Sequence, residues 1–204
     1  MSSNGLRKHR LSAVGGGLAA LTLALTALGG GHAFAAPQDD TAGASTGSGP
    51  LTRADEGILA ARGGTGPILI KNASGKCLEI EGSSSTNGAR AQQWTCNGQS
   101  GAVWRLDPVK DKPGLFHIKN VHNGKCLEIE NSSHTNGANA QLWSCHEQAG
   151  AEWEFRVGKD GKTVWFKNTS GKWLEIEGSS GKNGARAQQW TDNGQSGARW
   201  TIWG

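Results

Sequence analysis

The sequence predicts an all-β domain made of three copies of one unit, each copy with about four strands. The stretch Gly75–Trp104 returns as Gly124–Trp153 and again as Gly171–Trp200, at offsets of 49 and 47 residues. Copies one and three are identical at 28 of 36 positions between Lys71–Leu106 and Lys167–Ile202. No part of the repeat region shows an apolar period of 3.6 residues over the length of a helix. A repeat of this size indicates one supersecondary unit that buries its apolar face only against its neighbours.

The first 36 residues have the composition of a secretory signal peptide. A basic start without acids is followed by an apolar run and a small-residue cleavage signal. These features are Arg7, Lys8 and Arg10, then the 11-residue run Leu18–Leu28, then Ala33-Phe34-Ala35. The run is too short to span a bilayer after cleavage. We therefore expect a secreted, extracellular protein with no membrane association.

Residues 37–66 are rich in Gly, Ala, Ser and Thr and have few large apolar side chains. Such a segment cannot bury enough apolar surface to offset the entropy of ordering, so it is predicted to be a disordered linker. Residues 67–204 form the predicted domain. Its lobes, each one copy of the repeat, cover about 67–115, 116–163 and 164–204.

The charge of the mature chain argues against a nucleic-acid partner. The formal charge is +4, but three of the 21 Lys and Arg leave with the signal peptide, so 18 bases face 17 acids. These charges are spread along the chain, whereas a nucleic-acid binder needs a basic stripe that neutralises phosphates.

Each copy divides into short apolar runs separated by turn residues. In copy one the turns are Ser74-Gly75, Asn87-Gly88 and Asn97-Gly98, and Asn-Gly pairs favour the positive φ angles of tight hairpins. The predicted strands of copy one are Ile68–Lys71, Cys77–Glu81, Ala89–Trp94 and Val103–Leu106. Repeated three times, this pattern gives about twelve strands.

The cysteines indicate one disulfide inside each of the first two copies. Cys77 and Cys96 recur as Cys126 and Cys145, and both positions change together in copy three, to Trp173 and Asp192. Pairing within a copy explains this joint loss, and pairing between copies does not. In an exported protein we therefore predict disulfides Cys77–Cys96 and Cys126–Cys145. A metal site is disfavoured because no C-x-x-C or His at ligand spacing is present, and no cofactor is expected.

The motifs G-K-C-L-E-I, N-G, A-Q-x-W, x-C and a Trp ten residues later resemble the ricin-type β-trefoil, or R-type lectin, family. The resemblance covers all three copies. It implies a six-stranded barrel closed at one end by three hairpins, with pseudo-threefold symmetry. It also implies up to three shallow carbohydrate sites, one per lobe, and a secreted protein that binds polysaccharide or cell-surface glycan multivalently. We expect a monomer.

The resemblance also implies roles for individual residues. The acid after C-L would accept hydrogen bonds from sugar hydroxyls, and corresponds to Glu79, Glu128 and Glu175. The aromatic platform of the family corresponds to Trp94, Trp143 and Trp190, which we call the platform tryptophans. The closing tryptophans, implied to lie in the core, are Trp104, Trp153 and Trp200. The Gln of A-Q-x-W, implied to satisfy backbone groups at the strand end, is Gln92, Gln141 and Gln188.

The sequence departs from the family pattern at two places. All three copies carry Glu where the family has Asp, which moves the acceptor by one methylene. The family places Asn and Gln just before the closing Trp, whereas Gly-Ala stands there in every copy, as in Gly101-Ala102. The side chains predicted to supply the missing polar contact are Asn97 and Gln99, His146 and Gln148, and Asn193 and Gln195.

The residues alone leave other interpretations open. Strand alternation places Leu78 and Ile80 on one face and Glu79 and Glu81 on the other, which is typical of a solvated face. A Trp in a domain with nine of them is also commonly part of the core. The platform interpretation is favoured because the closing tryptophans already supply large core residues.

Two other functions compete with carbohydrate binding. Glycoside hydrolysis needs two carboxylates within about 5–10 Å, but the three repeated acids belong to separate lobes, so we do not expect an enzyme. A secreted protein-binding trefoil, such as a protease inhibitor, would need a loop that breaks the symmetry. The candidate is 107–115, where Pro108 and Pro113 flank Lys110 and Lys112.

Overall fold

The structure, a computed structural model, describes residues 66–204. The predicted signal peptide and nearly all of the predicted linker lie outside this range. Twelve antiparallel strands follow one another, as the repeat predicted, and no α-helix occurs among the described residues. The strands are β1 Ile68–Asn72, β2 Cys77–Ile80, β3 Ala91–Trp94, β4 Val103–Pro108, β5 Phe116–Asn120, β6 Cys126–Ile129, β7 Ala140–Trp143, β8 Trp153–Val157, β9 Val164–Asn168, β10 Trp173–Ile176, β11 Ala187–Trp190 and β12 Trp200–Trp203.

Six of these strands close into a barrel, and the other six form three hairpins. The ring runs β1–β4–β5–β8–β9–β12 and returns to β1. The hairpins are β2–β3, β6–β7 and β10–β11, one in each lobe. This is the β-trefoil architecture that the resemblance implied.

Three tryptophans, one from each lobe, fill the centre of the barrel. Trp104, Trp153 and Trp200 are at most 1% exposed. Each indole Nε1 donates to a backbone carbonyl of its own lobe, at 2.9 to 3.0 Å from the oxygens of Leu78, Leu127 and Leu174. A buried indole needs such an acceptor, so the closing Trp fixes its hairpin to the barrel.

The hairpins are joined to one another in a ring by backbone hydrogen bonds. Gly184 of lobe 3 donates to the carbonyl of Gln93 in lobe 1, at 3.0 Å. Gly88 of lobe 1 donates to Leu142 of lobe 2, and Gly137 of lobe 2 donates to Gln189 of lobe 3. All three glycines have φ between 80° and 86°, the left-handed region that glycine occupies without strain. The Asn-Gly turn at Gly88 and its copies at Gly137 and Gly184 therefore form contacts between lobes.

Both predicted disulfides are present. Cys77 bonds Cys96 and Cys126 bonds Cys145, each at a sequence separation of 19. In lobe 3 the half-buried Trp173 stands opposite Trp190 in the β10–β11 register, where Cys77 stands opposite Trp94. Lobe 3 thus has two tryptophans facing each other at the register position where lobes 1 and 2 have a disulfide-bonded cysteine opposite a tryptophan.

Strand pairing, a backbone hydrogen bond and an ion pair hold the connection 107–115 in place. Strand β4 continues through Pro108, which pairs with Phe116, and Val109 N donates to Leu115 O at 2.9 Å. Lys112 Nζ lies 2.6 Å from the buried carboxylate of Glu152. One of the two lysines considered for a protruding loop is therefore bound to the next lobe. No helix in residues 66–204 is long and apolar enough to cross a membrane.

Candidate functional site

The predicted site residues of lobe 1 line one cavity. It has a volume of about 340 Å³ and lies between the β2–β3 hairpin and the loop that follows β3. Glu79, Trp94, Asn97 and Gln99 all contribute to its wall. These four residues are up to 20 positions apart in the chain, and the hairpin together with the Cys77–Cys96 bond brings them together.

The platform tryptophans lie outside the barrel. Trp94 and Trp143 are each 37% exposed, and Trp190 is half-buried. The covered part of each ring lies against the Asn-Gly turn of a neighbouring lobe. A Cβ added to Gly184, Gly88 or Gly137 would sit 3.6 to 3.9 Å from Cζ3 of Trp94, Trp143 or Trp190 respectively. Each indole is therefore held in place by the preceding lobe of the ring and keeps part of its surface open to solvent.

The acids are buried, which the alternation pattern did not predict. Glu79 is 4% exposed and Glu175 is 2% exposed, so the expectation of an open, solvated face was wrong for this position. The second acid of the motif, Glu81 or Glu177, begins a 3-10 turn and is exposed. The reason is that glutamine side chains from the same lobe cover the carboxylates. Burial in turn raises the pKa of Glu175 above its ordinary value.

The Gln of A-Q-x-W contacts the acid and not the backbone. Gln92 Nε2 donates to Glu79 Oε1 at 2.9 Å, and the equivalent distances in lobes 2 and 3 are 2.9 and 2.8 Å. The role implied for Gln92 by the family was therefore wrong here. The backbone contacts come from the next residue of the motif, Gln93 in lobe 1 and Gln189 in lobe 3, whose amide donates to a carbonyl of the adjacent lobe.

A second amide reaches the acid in lobes 1 and 2. Gln99 Nε2 donates to Glu79 Oε2 and, at 3.1 Å, to the carbonyl of Thr95. Its own Oε1 accepts from the backbone N–H of Asn97 at 3.0 Å. Gln148 repeats this arrangement with Glu128 at 2.7 Å and with the N–H of His146 at 2.8 Å. In these two lobes the predicted Gln side chain contacts the acid, while Asn97 and His146 donate a backbone N–H to that Gln.

Lobe 3 lacks this second contact. Gln195 does not bond Glu175, and its Oε1 lies 3.4 Å from Ser179 Oγ. Asp192, which replaces a cysteine, accepts from Gly194 N, and Asn193 accepts from Gln195 N. Without the disulfide, the loop has a different hydrogen-bond pattern, and Glu175 has one amide partner where Glu79 has two.

The structure explains why glycine replaces the family's amide residue. A Cβ at Gly101 would lie 2.7 Å from the Ile80 carbonyl oxygen and 2.9 Å from Ser83 Cα. For both Gly150 and Gly197, an added Cβ would lie 2.5 Å from the equivalent carbonyl oxygen and 3.1 Å from the equivalent serine Cα. No side chain fits there, so the amide comes from Gln99 and Gln148, two residues earlier.

Three residues in the lobe 1 wall were missed by the sequence reasoning. Glu81, Gly82 and Ser83 line the cavity, and Ser83 Oγ accepts from Gly101 N at 2.9 Å. The identity of E-I-E-G-S in copies one and three was the signal that could have identified them. No group of three or more His, Cys, Asp or Glu among residues 66–204 could hold a metal ion.

The model of the family described as "Ricin-type beta-trefoil lectin domain-like" matches residues 59–143, 104–170 and 149–203. The chain belongs to this family. The resemblance read from the motifs is thereby confirmed across all three lobes. No curated protein sequence matches the chain.

Solved structures show the same architecture. A designed threefold-symmetric protein, ThreeFoil, aligns with a TM-score of 0.64 and 28% identity, over 68% of this chain and 98% of that one. An exo-β-1,3-galactanase from Clostridium thermocellum aligns with a TM-score of 0.64 and 27% identity, over 67% of this chain but only 30% of the enzyme. A ricin B-like lectin from Macrolepiota procera, solved with lactose, gives 0.58 and 13% over 68% and 95%, which shows the fold alone.

Proposed function

We propose that this ricin-type trefoil is a secreted carbohydrate-binding domain that holds its ligand without changing it. The observation that carries the proposal is the lobe 1 cavity, where an open indole face, a buried carboxylate and an amide line one concave surface. Family membership and similarity to lectins of this fold support carbohydrate as the ligand class.

Each group matches one property of a sugar. The pyranose C–H face is apolar and stacks on the exposed part of Trp94. Ring hydroxyls donate to the carboxylate of Glu79, which can accept about four hydrogen bonds and receives one each from Gln92 and Gln99. The two amides hold the carboxylate in one orientation, so less ordering is needed when the sugar binds.

Binding at one lobe is weak, and the repeat compensates for it. A stacked ring and a few charge-assisted hydrogen bonds give about 4 kcal/mol, a dissociation constant near millimolar. Several lobes on one polysaccharide would raise the avidity by about 10²–10⁴. We assign the tighter sites to lobes 1 and 2, whose acids have two amide partners, and the weaker site to lobe 3.

The protease-inhibitor alternative has less support. Its candidate loop, 107–115, is paired as a hairpin at its base, and Lys112 is engaged by Glu152. An enzyme is also less well supported, because Glu79 and Glu128 each accept amides on both oxygens and belong to separate lobes.

The test is calorimetric titration of the exported chain with a panel of polysaccharides and oligosaccharides, with a protease-inhibition panel in parallel. We expect heat from at least one polysaccharide and a much weaker response from its monosaccharide. Inhibition of a protease with no glycan response would overturn the proposal.

A further inference from the structure

A second cavity lies on the β6–β7 hairpin of lobe 2. Its volume is about 400 Å³, within the range of about 300–1,000 Å³ that small-molecule sites occupy. None of the twelve residues assigned above to carbohydrate lines it. The wall consists of Glu130, Asn131, Ser133, Thr135, Asn136, Gly137, Ala138 and Asn139.

The matching positions of lobes 1 and 3 hold an arginine. Arg90 Nη2 lies 3.0 Å from Glu81, and Arg186 Nη2 lies 3.0 Å from Glu177. In lobe 2 the same position is Asn139, whose Nδ2 donates to Glu130 Oε2 at 3.0 Å. Among residues 66–204, Glu130 has no basic side chain within ion-pair distance. In lobes 1 and 3 an arginine of the same lobe therefore pairs with this carboxylate, whereas lobe 2 has no arginine at that position.

A second exchange adds to the polar character of this wall. Asn131 stands where lobes 1 and 3 have Gly82 and Gly178, and it adopts the same left-handed φ of 56°. Asn is among the few residues other than Gly that adopt this conformation readily. Lobe 2 thus gains an amide at the cavity wall at the position where its sister lobes have no side chain.

We propose that this cavity binds a sugar unit carrying a primary amine, with its ammonium group taking the place of the missing guanidinium at Glu130. The sister lobes provide the template, because the same carboxylate holds a cationic donor in each of them. Hydroxyl groups of the sugar would bond the amides of Asn131 and Asn139 and the hydroxyls of Ser133 and Thr135. The inference rests on the proposed function in one respect, that the ligand is a saccharide.

The neighbourhood allows an extended ligand. Gly137 lines the cavity and also lies against the ring of Trp190, with its added Cβ 3.6 Å from Cζ3. A chain stacked on that indole would therefore pass beside the cavity. Arg186 of lobe 3 donates to Asn139 Oδ1 at 2.6 Å, but it is also paired with Glu177, so its repulsion of an ammonium group is partly neutralised.

The test compares two trisaccharides, one of glucosamine and one of N-acetylglucosamine, titrated into the full exported chain. We expect the amine form to bind about fivefold more tightly, as expected of one exposed ion pair. Glu130→Gln, which keeps the shape, should remove this preference, and so should high salt. Glu154→Gln is a matched control that should preserve it, since its carboxylate already has an arginine partner, Arg156, and lines neither cavity.

The outcomes separate this inference from the proposed function. Equal binding of the two sugars, or a preference that survives Glu130→Gln, would overturn the amine site while leaving carbohydrate binding intact. A lysine tripeptide that binds through Glu130 more tightly than the amino sugar would overturn the saccharide assignment. Chemical shift changes at the side-chain amides of Asn131 and Asn139, seen only with the amine form, would support the proposed amine site. Neither measurement depends on the platform tryptophans being functional.

Discussion

Replacing the three platform tryptophans with alanine tests the proposed mode of binding most directly. Trp94 is 37% exposed, which for a side chain of about 250 Å² leaves about 90 Å² for a sugar to cover. At about 25 cal/mol per Å² this contact is worth about 2.3 kcal/mol, or about 40-fold in affinity per lobe. With Trp94, Trp143 and Trp190 all changed, binding to a polysaccharide should be lost.

The assay is calorimetric titration with the polysaccharide that binds the native chain most tightly. The matched control is Trp203→Ala, because Trp203 is more exposed, at 56%, and lies on β12 outside the two cavities described above. That indole has Lys71 Nζ 4.3 Å from its ring centroid, and its removal should leave affinity unchanged. Circular dichroism should show that the triple variant folds, since Trp104, Trp153 and Trp200 still fill the barrel.

Two results would refute the reasoning. A folded triple variant that binds as tightly as the native chain would show that the indoles do not contact the ligand. A loss of affinity in Trp203→Ala equal to that in the triple variant would show that exposed aromatic surface in general, and not the lobe cavities, holds the ligand.

Three further outcomes follow from the differences between lobes. In a variant whose Trp143 and Trp190 are replaced by alanine, Gln99→Ala should weaken binding about tenfold and lower the Tm by a few degrees, because Glu79 loses a charge-assisted hydrogen bond. The control Gln195→Ala, made in the native chain, should leave the Tm unchanged. Burial raises the pKa of Glu175, so its charged form destabilises the fold increasingly as pH rises from its unfolded value through its folded value. Glu175→Gln should therefore raise the Tm relative to native at pH 7, with a smaller difference or none at pH 4, and an equal shift at both would contradict the burial argument. Hydrogen exchange should show β10 and β11 opening before β2 and β3, since the disulfides of lobes 1 and 2 are each worth about 3 kcal/mol; uniform protection of the three hairpins would count against this.

The fold was predictable because its signals are local and repeated. Asn-Gly pairs mark the turns, alternating apolar residues mark the strands, and a change at both cysteines in one copy identifies their pairing. The strand ends differ by two residues or fewer. Glu81, for example, was predicted to end β2 but begins a 3-10 turn, since the chain turns sharply at Gly82, whose φ is 60°.

The arrangement around the acids could not be predicted in the same way. Glu79 is covered by Gln92 and Gln99, which lie 13 and 20 residues further along the chain, and no pattern along one strand reports such a contact. Alternation shows which face a side chain leaves from, but not what folds over that face. The difference of lobe 3 arises because Asp192 replaces a cysteine, which changes the loop that carries Gln195.

The contacts between hairpins run around the trefoil in one direction, because each platform tryptophan rests on the turn of the preceding lobe. Trp94 rests on the Gly184 turn of lobe 3, whereas Trp143 rests on the Gly88 turn of lobe 1. If the hairpin of lobe 3 loosens, the indole of lobe 1 loses its backing first, and the indole of lobe 2 is affected only at one remove. A disturbance would therefore travel around the trefoil in one sense, and no single lobe could be cut out with its aromatic surface intact.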